Sequence, residues 1–296
     1  MTPVNYQNSG IYAHSLSSYI FSFLWLNYCM HDRLYLVDAF TSQPYAGNPA
    51  AVCLLNEPAG PAWMLAMAAE MKHSETAFLT PNPSGFDLRW FTPLKEVRLC
   101  GHATLASAHI LWESGRLDPA QPACFDTLSG RLTAVRRAGW IEMDFPARPQ
   151  QPASLPAGLA EVLGVSPVYV GSNGQTYLLE LENEQAVRDL RPDLLRLLDL
   201  PVKAVIVTAS SAAPDYDFVS RFFAPAIGIP EDPVTGSAHC YLAPYWARRL
   251  GKTGLSAYQA SARGGEVRLR LAGERVMLGG QAVTVMAGEL NINQNT

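Results

Sequence analysis

The acids, hydroxyls and imidazoles that could bind or move a proton gather in two short stretches and at one isolated position. Residues 221–239 read Arg-Phe-Phe-Ala-Pro-Ala-Ile-Gly-Ile-Pro-Glu-Asp-Pro-Val-Thr-Gly-Ser-Ala-His and carry Glu231, Asp232, Ser237 and His239. Phe218, Val219, Arg221 and Phe222 suit a strand, whereas Pro225, Gly228, Pro230 and Pro233 break structure. Gly236, Ser237 and Ala238 are small enough for a close approach at a helix start, ahead of the apolar run 240–243. The first turn of a helix offers unpaired backbone N–H groups and partial positive charge. Asp232 and Ser237 delivered there make a place to hold a carboxylate-bearing molecule.

The same pattern occurs earlier in the chain. Arg89-Trp90-Phe91-Thr92-Pro93 is followed by Glu96, by Gly101-His102-Ala103-Thr104-Leu105-Ala106 and by Trp112. Arg89 matches Arg221, Phe91 matches Phe223, Pro93 matches Pro225, the Gly101-His102-Ala103 turn matches Gly236-Ser237-Ala238, and Trp112 matches Trp246. One such unit per half predicts two similar halves, each with a helix N-terminus at its mouth and a site between them. Gly101, Ala103, Gly236 and Ala238 are the expected substrate-binding positions around His102 and Ser237.

The isolated position is Glu75. In Ser74-Glu75-Thr76-Ala77-Phe78-Leu79, which reads as a short strand, it is the one charge among residues suited to burial. A desolvated carboxylate has a raised pKa, nearer the range useful for moving protons at neutral pH. The same residue also fits an edge strand with its carboxylate in water. His73, Glu96, Glu231 and His239 are weaker candidates.

Bulk properties exclude several classes of function. With 296 residues, 48% of them hydrophobic, the chain has room for two domains of roughly 130 to 150 residues. A formal net charge of −4 without a Lys/Arg run leaves no footprint for nucleic acid or an anionic membrane. The five cysteines are widely spaced, odd in number and free of any Cys-x-x-Cys pair, so neither a disulfide framework nor a zinc site is indicated and a reducing cytoplasm suits them. The chain contains no His-Glu-x-x-His, Gly-x-Ser-x-Gly, Gly-x-Gly-x-x-Gly or Gly-x4-Gly-Lys-Ser/Thr motif. Proton transfer without a cofactor is the chemistry left standing.

Residues 1–30 read as a disordered or mis-started extension, with a membrane-anchoring signal as the weaker alternative, since their 20–26 apolar run has no preceding Lys or Arg, is interrupted by Ser22 and is followed by no small-residue cleavage site. From Leu34 the elements alternate: strands at 34–40 and 50–55, a helix at 61–73, a strand at 86–92, a helix at 103–114, and a meander between 124 and 145. Residues 147–156, dense in Pro, Ala and Gln, are the expected linker. The second half predicts a helix at 158–163, a strand pair at 168–170 and 177–181, one helix over 184–198, a strand at 204–208, a helix at 238–250, and strands near 266–271, 275–278 and 282–286. The expected domains are 31–146 together with 279–292, and 147–278.

These pieces resemble the PhzF-like isomerases of the phenazine biosynthesis family, whose fold is similar to diaminopimelate epimerase. The matching segments are 37–40 with 47–52 (Val-Asp-Ala-Phe and Gly-Asn-Pro-Ala-Ala-Val), 74–78, 89–93 with 101–104, 231–238 (Glu-Asp-Pro-Val-Thr-Gly-Ser-Ala) and Gly279-Gly280-Gln281-Ala282-Val283. They come in family order from Leu34 to about Leu290. The resemblance implies an α+β fold of two pseudo-symmetric halves, each a curved sheet, a half-barrel, around a central helix, with the site in the cleft between. It implies that Glu75 is the proton-shuttling carboxylate, that His102, Asp232 and Ser237 bind and position substrate, and that no cofactor is needed. Where epimerase relatives place paired cysteines, this chain has His102 and Ser237, and Cys100 and Cys240 read as out of register.

The expected function is therefore a cofactor-independent isomerase acting on a small carboxylate, cytoplasmic and homodimeric, with no nucleic-acid or membrane partner. A two-base amino-acid racemase and a silent carboxylate-binding protein are the alternatives.

Overall fold

A computed structural model describes residues 32–174 and 176–290; the expected extension, residues 1–30, lies outside them. Strands β1 (Arg33–Ala39) and β2 (Asn48–Leu54) pair antiparallel, and α1 (Pro61–Met71) leads to β3 (Thr76–Asn82), which runs parallel to β2. β4 (Gly85–Phe91) returns antiparallel to β3 and takes the short β5 (Glu96–Val97) at its end. After α2 (Gly101–Glu113), β6 (Ala123–Thr127) lies parallel to β4 and opens an antiparallel meander with β7 (Gly130–Arg137) and β8 (Trp140–Pro146).

The order is then repeated. β9 (Gln151–Pro152), α3 (Leu159–Leu163), β10 (Tyr169–Ser172) and β11 (Thr176–Glu180) precede two short helices, α4 (Glu184–Asp189) and α5 (Leu194–Leu198). β12 (Ala204–Ser210), β13 (Phe218–Ala224), β14 (Ile229–Asp232), α6 (Gly236–Leu250), β15 (Gly254–Gln259), β16 (Gly265–Ala272) and β17 (Arg275–Gly280) follow. β10 is antiparallel to β11, β11 parallel to β12, β12 antiparallel to β13 and β13 parallel to β15, the sequence of directions already seen from β1 to β6. β18 (Ala282–Glu289) crosses back to cover the edge of β1, as β9 covers β10. The last meander strands, β8 and β17, pair antiparallel and join the two sheets.

The two halves are pseudo-symmetric, each a sheet around one helix, in the α+β arrangement of diaminopimelate epimerase. α2 is buried on nearly all sides, which explains why its sequence is apolar around most of the helix, and α6 is largely buried from Ala238 to Ala247 before its last turn emerges at Arg248 and Arg249. Ala103, Ala106, Ser107 and Ala108 let the sheet approach α2 closely, while Leu105, Ile110, Leu111 and Trp112 fill the volume between. Gly280 has the same reason: a Cβ there would stand 2.4 Å from Phe40 Cδ1 and 2.6 Å from Leu105 Cδ1.

Several expectations need correction. The strand expected at 74–79 begins at Thr76, so Glu75 sits in the loop before it. The single helix expected over 184–198 is two, because Pro192 cannot continue a helix and Asp193 caps a new one, accepting from the Arg196 N–H at 3.0 Å. Residues 147–156 do not run free: the Arg148 N–H donates to the Cys240 carbonyl at 2.9 Å, Gln150 is buried and β9 extends the sheet. Proline at a sheet edge loses no ladder bond, which is how so Pro-rich a segment can be a strand. β14 and β15 carried no sequence signal strong enough to be expected. Trp112 and Trp246 are not strict equivalents, since they stand eleven and ten residues beyond Gly101 and Gly236.

Candidate active site

The starts of α2 and α6 abut. A methyl group on Gly101 would lie 3.5 Å from the Gly236 Cα, and one on Gly236 would lie 3.6 Å from the Gly101 Cα. Thr235 accepts no side-chain bond from the first turn of α6, and in α2 the Cys100 sulfur is near the Ala103 N–H without capping geometry, so the first-turn N–H groups lack an oxygen cap at both helices. Beside this junction lies a cavity of about 310 Å³ lined by Glu75, Gly101, His102, Asp232, Gly236 and Ser237, with apolar walls from Val97, Leu99, Phe145, Phe222 and Ile229. Ala103 and Ala238 are buried within their helices and do not line it.

Glu75 enters from the loop before β3, its side chain 12% exposed, with Oε2 at 3.7 Å from His102 Nε2. Burial pushes its carboxyl above the usual range, against the opposing pull of hydrogen bonds from the Ser74 and Cys100 side chains. Ser74 Oγ lies 3.4 Å from His102 Nε2, and Cys100 Sγ 3.5 Å from His102 Nδ1. Burial lowers the His102 pKa to about 4, although the Asp232 charge works in the other direction. The imidazole is thus neutral near pH 7 and carries one ring N–H.

Asp232 ends β14, and both its carboxylate oxygens are engaged by the protein. Asn48 Nδ2, from the other half, donates to Oδ1 at 2.8 Å and Thr235 Oγ1 donates to Oδ2 at 2.6 Å. Gln259 clamps the same loop, its Nε2 donating to the Asp232 carbonyl and its Oε1 accepting from the Thr235 N–H, both at 2.8 Å. Burial raises the Asp232 pKa to about 6, opposed by His102, Thr235 and Asn48 and assisted by the Glu75 charge. Ser237 is the exposed residue of the first α6 turn and opens into the cavity.

The chain matches the sequence model of the phenazine biosynthesis-like proteins (PhzC-PhzF) over residues 37–288. The chain belongs to this family. An uncharacterized isomerase of Halalkalibacterium halodurans is 52% identical over 262 residues, covering 88% of this chain and 99% of that protein. A crystal structure of a PhzF-family protein from Enterococcus faecalis superposes with a TM-score of 0.84 at 38% identity, over 89% of this chain and 100% of that one. A probable proline racemase from Agrobacterium radiobacter K84 shares the fold, with a TM-score of 0.56 at 14% identity over 88% of this chain and 93% of that one.

Within this PhzF-family cleft the structure adds residues that spacing did not single out. Cys100, expected out of register, is the N-cap of α2 itself and touches the Glu75 carboxylate; its counterpart at the N-cap of α6 is Thr235, while Cys240 lies a turn further on. Burial and the Glu75 charge hold the Cys100 thiol well above its usual pKa. Glu75, Cys100 and His102 have donor atoms within 4.8 Å of one another, yet a metal would need the thiolate that this environment opposes. Glu96 and Glu231 are ion-pair partners of Arg89 and Arg221 rather than cavity groups. His239 is fully buried, its Nδ1 donating to the Thr235 carbonyl at 2.8 Å and its ring against Phe218. His73 does not line the cavity. Lys95 and Arg148, which do, lay in segments read as loop and linker.

The paired shifts make opposite contributions to stability. Asp232 has a folded pKa of about 6 against 3.8, so it favours the folded state most at low pH and that contribution is lost as pH rises from about 4 through 6. His102, at about 4 against 6.5, loses stability as pH falls through the same window. Asp232→Asn removes the first contribution and also the charge that partly opposes the lowering of His102, and both changes act in the same direction. Denaturant unfolding at pH 6 and pH 4 is expected to show a steeper loss on acidification for the variant than for the wild type. A shallower loss would rule out a raised Asp232 pKa.

Proposed function

We propose that this protein is an isomerase that moves a proton within a small carboxylate-bearing substrate, with Glu75 as the group that accepts and returns it and without a cofactor. The observation that carries the reading is the desolvated Glu75 carboxylate in a mostly apolar cavity beside two abutting helix starts. The substrate carboxylate takes hydrogen bonds from first-turn N–H groups and the Ser237 hydroxyl, which fixes its orientation and stabilises negative charge on the carbon skeleton. Glu75 removes a proton from one carbon, the electron pair of that C–H bond becomes part of a shifted double bond, and protonated Glu75 delivers the proton to the carbon at the other end of the system. Neutral His102 donates a hydrogen bond, and Asp232, anchored by Asn48 and Thr235, holds the floor of the site.

The racemase alternative calls for a second acid–base group facing Glu75 or Cys100 across the reacting carbon. The position equivalent to Cys100 is Thr235, whose hydroxyl already donates to Asp232, and that disfavours a two-thiol mechanism. Incubation of candidate unsaturated carboxylic acids in deuterated water separates the readings. Deuterium at a migrated position, or a double-bond shift with the proton carried internally, is the expected result. Label at an inverted stereocentre would replace the proposal with racemisation, and binding without turnover or exchange across the set would leave a binding protein.

A further inference from the structure

Two cationic side chains, Arg148 and Lys95, line the cavity. Arg148 lines it from the segment after β8, and its position is set rather than free: its backbone N–H donates to the Cys240 carbonyl at 2.9 Å, its Nη1 donates to the Tyr241 hydroxyl at 3.2 Å, and its guanidinium carbon lies 5.8 Å from the Tyr241 ring centroid. Among the described residues no carboxylate lies within ion-pair distance of it, as is also true of Arg98, Arg136, Arg191, Arg248, Arg268 and Arg270, but none of those lines the cavity. Lys95, on the loop between β4 and β5, lines the same cavity and likewise has no acidic partner among the described residues. Arg148 and Lys95 are both exposed, so they stand at the open rim of the cavity, and a guanidinium held there by Tyr241 can receive an anion in a forked geometry.

The helix starts and Arg148 line one cavity, and both are tied to α6. Cys240, whose carbonyl anchors the Arg148 backbone, is four residues beyond Gly236 in α6, about 6 Å along the axis. A single carboxylate at the helix starts leaves the guanidinium unanswered, but a second carboxylate a few bonds away meets it. Phe145, Phe222 and Ile229 offer apolar surface for the carbons between. We propose that the substrate is a compact dicarboxylate, with one carboxylate held at the abutting starts of α2 and α6 and the other by Arg148, assisted by Lys95. This rests on the cleft being the substrate site, as proposed above, but not on the identity of the proton carrier.

The test uses three rigid acids as probes: isophthalate, its monoamide 3-carbamoylbenzoate, and benzoate. Isothermal titration of the full-length protein is expected to show isophthalate binding at least about tenfold more tightly than the monoamide, the size of one charge-assisted contact. Arg148→Met, which keeps the aliphatic stem over Tyr241, should reduce that ratio to within about twofold while the monoamide's affinity stays nearly unchanged, and Arg148→Lys should restore part of it. The monoamide reports whether the variant site is intact. Glu75→Gln should retain the dicarboxylate preference, so a failed isomerase reading and a failed dicarboxylate reading give different results. Equal binding of diacid and monoamide by the wild type, a preference that survives Arg148→Met, or no binding of any probe at millimolar concentration overturns the proposal.

Discussion

Glu75→Gln is expected to lower turnover and solvent-deuterium incorporation by at least about 10²-fold, the low end for general acid–base catalysis, while ligand affinity changes little. Glutamine keeps the shape and can still bond to Ser74 and Cys100, but it cannot accept a proton from carbon and hand it back. The environment makes the loss large. The Glu75 carboxylate is held above its ordinary pKa chiefly by burial, with one oxygen 3.7 Å from a His102 ring that is itself held neutral, so no strong neighbouring base stands ready to replace it. Cys100, whose side chain also bonds to Glu75, is kept as thiol by the same burial and by the Glu75 charge, which the variant removes. Substrate-dependent hydrogen exchange, followed by NMR in deuterated water for both proteins, measures the effect. Exchange by Glu75→Gln at the wild-type rate would transfer the role to another group, with His102 first in line.

Arg221→Met is expected to destabilise the fold by about 3 kcal/mol, and Arg89→Met by less than about 1 kcal/mol, although the two arginines occupy equivalent places in the repeat. Each makes a forked pair with a glutamate on the following strand: Arg221 to Glu231 at 2.7 and 2.9 Å, Arg89 to Glu96 at 2.7 and 2.8 Å. Their surroundings differ. The Arg221 side chain is 8% exposed and its Nη1 also donates to the Val187 and Leu190 carbonyls at 3.2 and 2.7 Å; methionine would leave the Glu231 carboxylate and the Val187 carbonyl without this donor, while the Leu190 carbonyl keeps the Arg191 Nη1 at 2.8 Å. Arg89 is 30% exposed and water can take over its bonds. Denaturant titration of the two variants decides it, and equal losses would show that burial is not what separates them. Because the Arg221–Glu231 pair spans β13 and β14, the same variant should also weaken binding at the cleft, Asp232 being the next residue along.

The repeat that was legible in the sequence is the repeat of the fold. Arg89 with Glu96 and Arg221 with Glu231 are seven and ten residues apart, and the three additional residues of the second copy are absorbed by the 3₁₀ turn Pro225–Ile227. Glycine followed by small residues after an extended segment was enough to mark both helix starts, since little else tolerates so close a contact between two backbones. Pro192 shows the limit of reading periodicity. The apolar pattern of 184–198 continued through it, but the missing N–H and the ring decided for two short helices.

By itself, then, the amino-acid order determined the two strand–turn–helix units, the apolar helices that must be buried over most of their surface, and the presence of one acid, Glu75, among residues made for the interior. Those are local properties, written in volume, period and turn chemistry. What only the tertiary structure decided is which groups meet. Asn48 reaches Asp232 across 184 positions of sequence, Cys100 and His102 close on Glu75 from a different element, and Arg148 comes from a segment that reads as linker to stand beside α6. No spacing rule relates residues brought together by the pairing of β8 with β17 and the abutment of two helix starts. Their shifted pKa values follow from that enclosure, because desolvation is a property of the packed cavity and not of any segment of the chain.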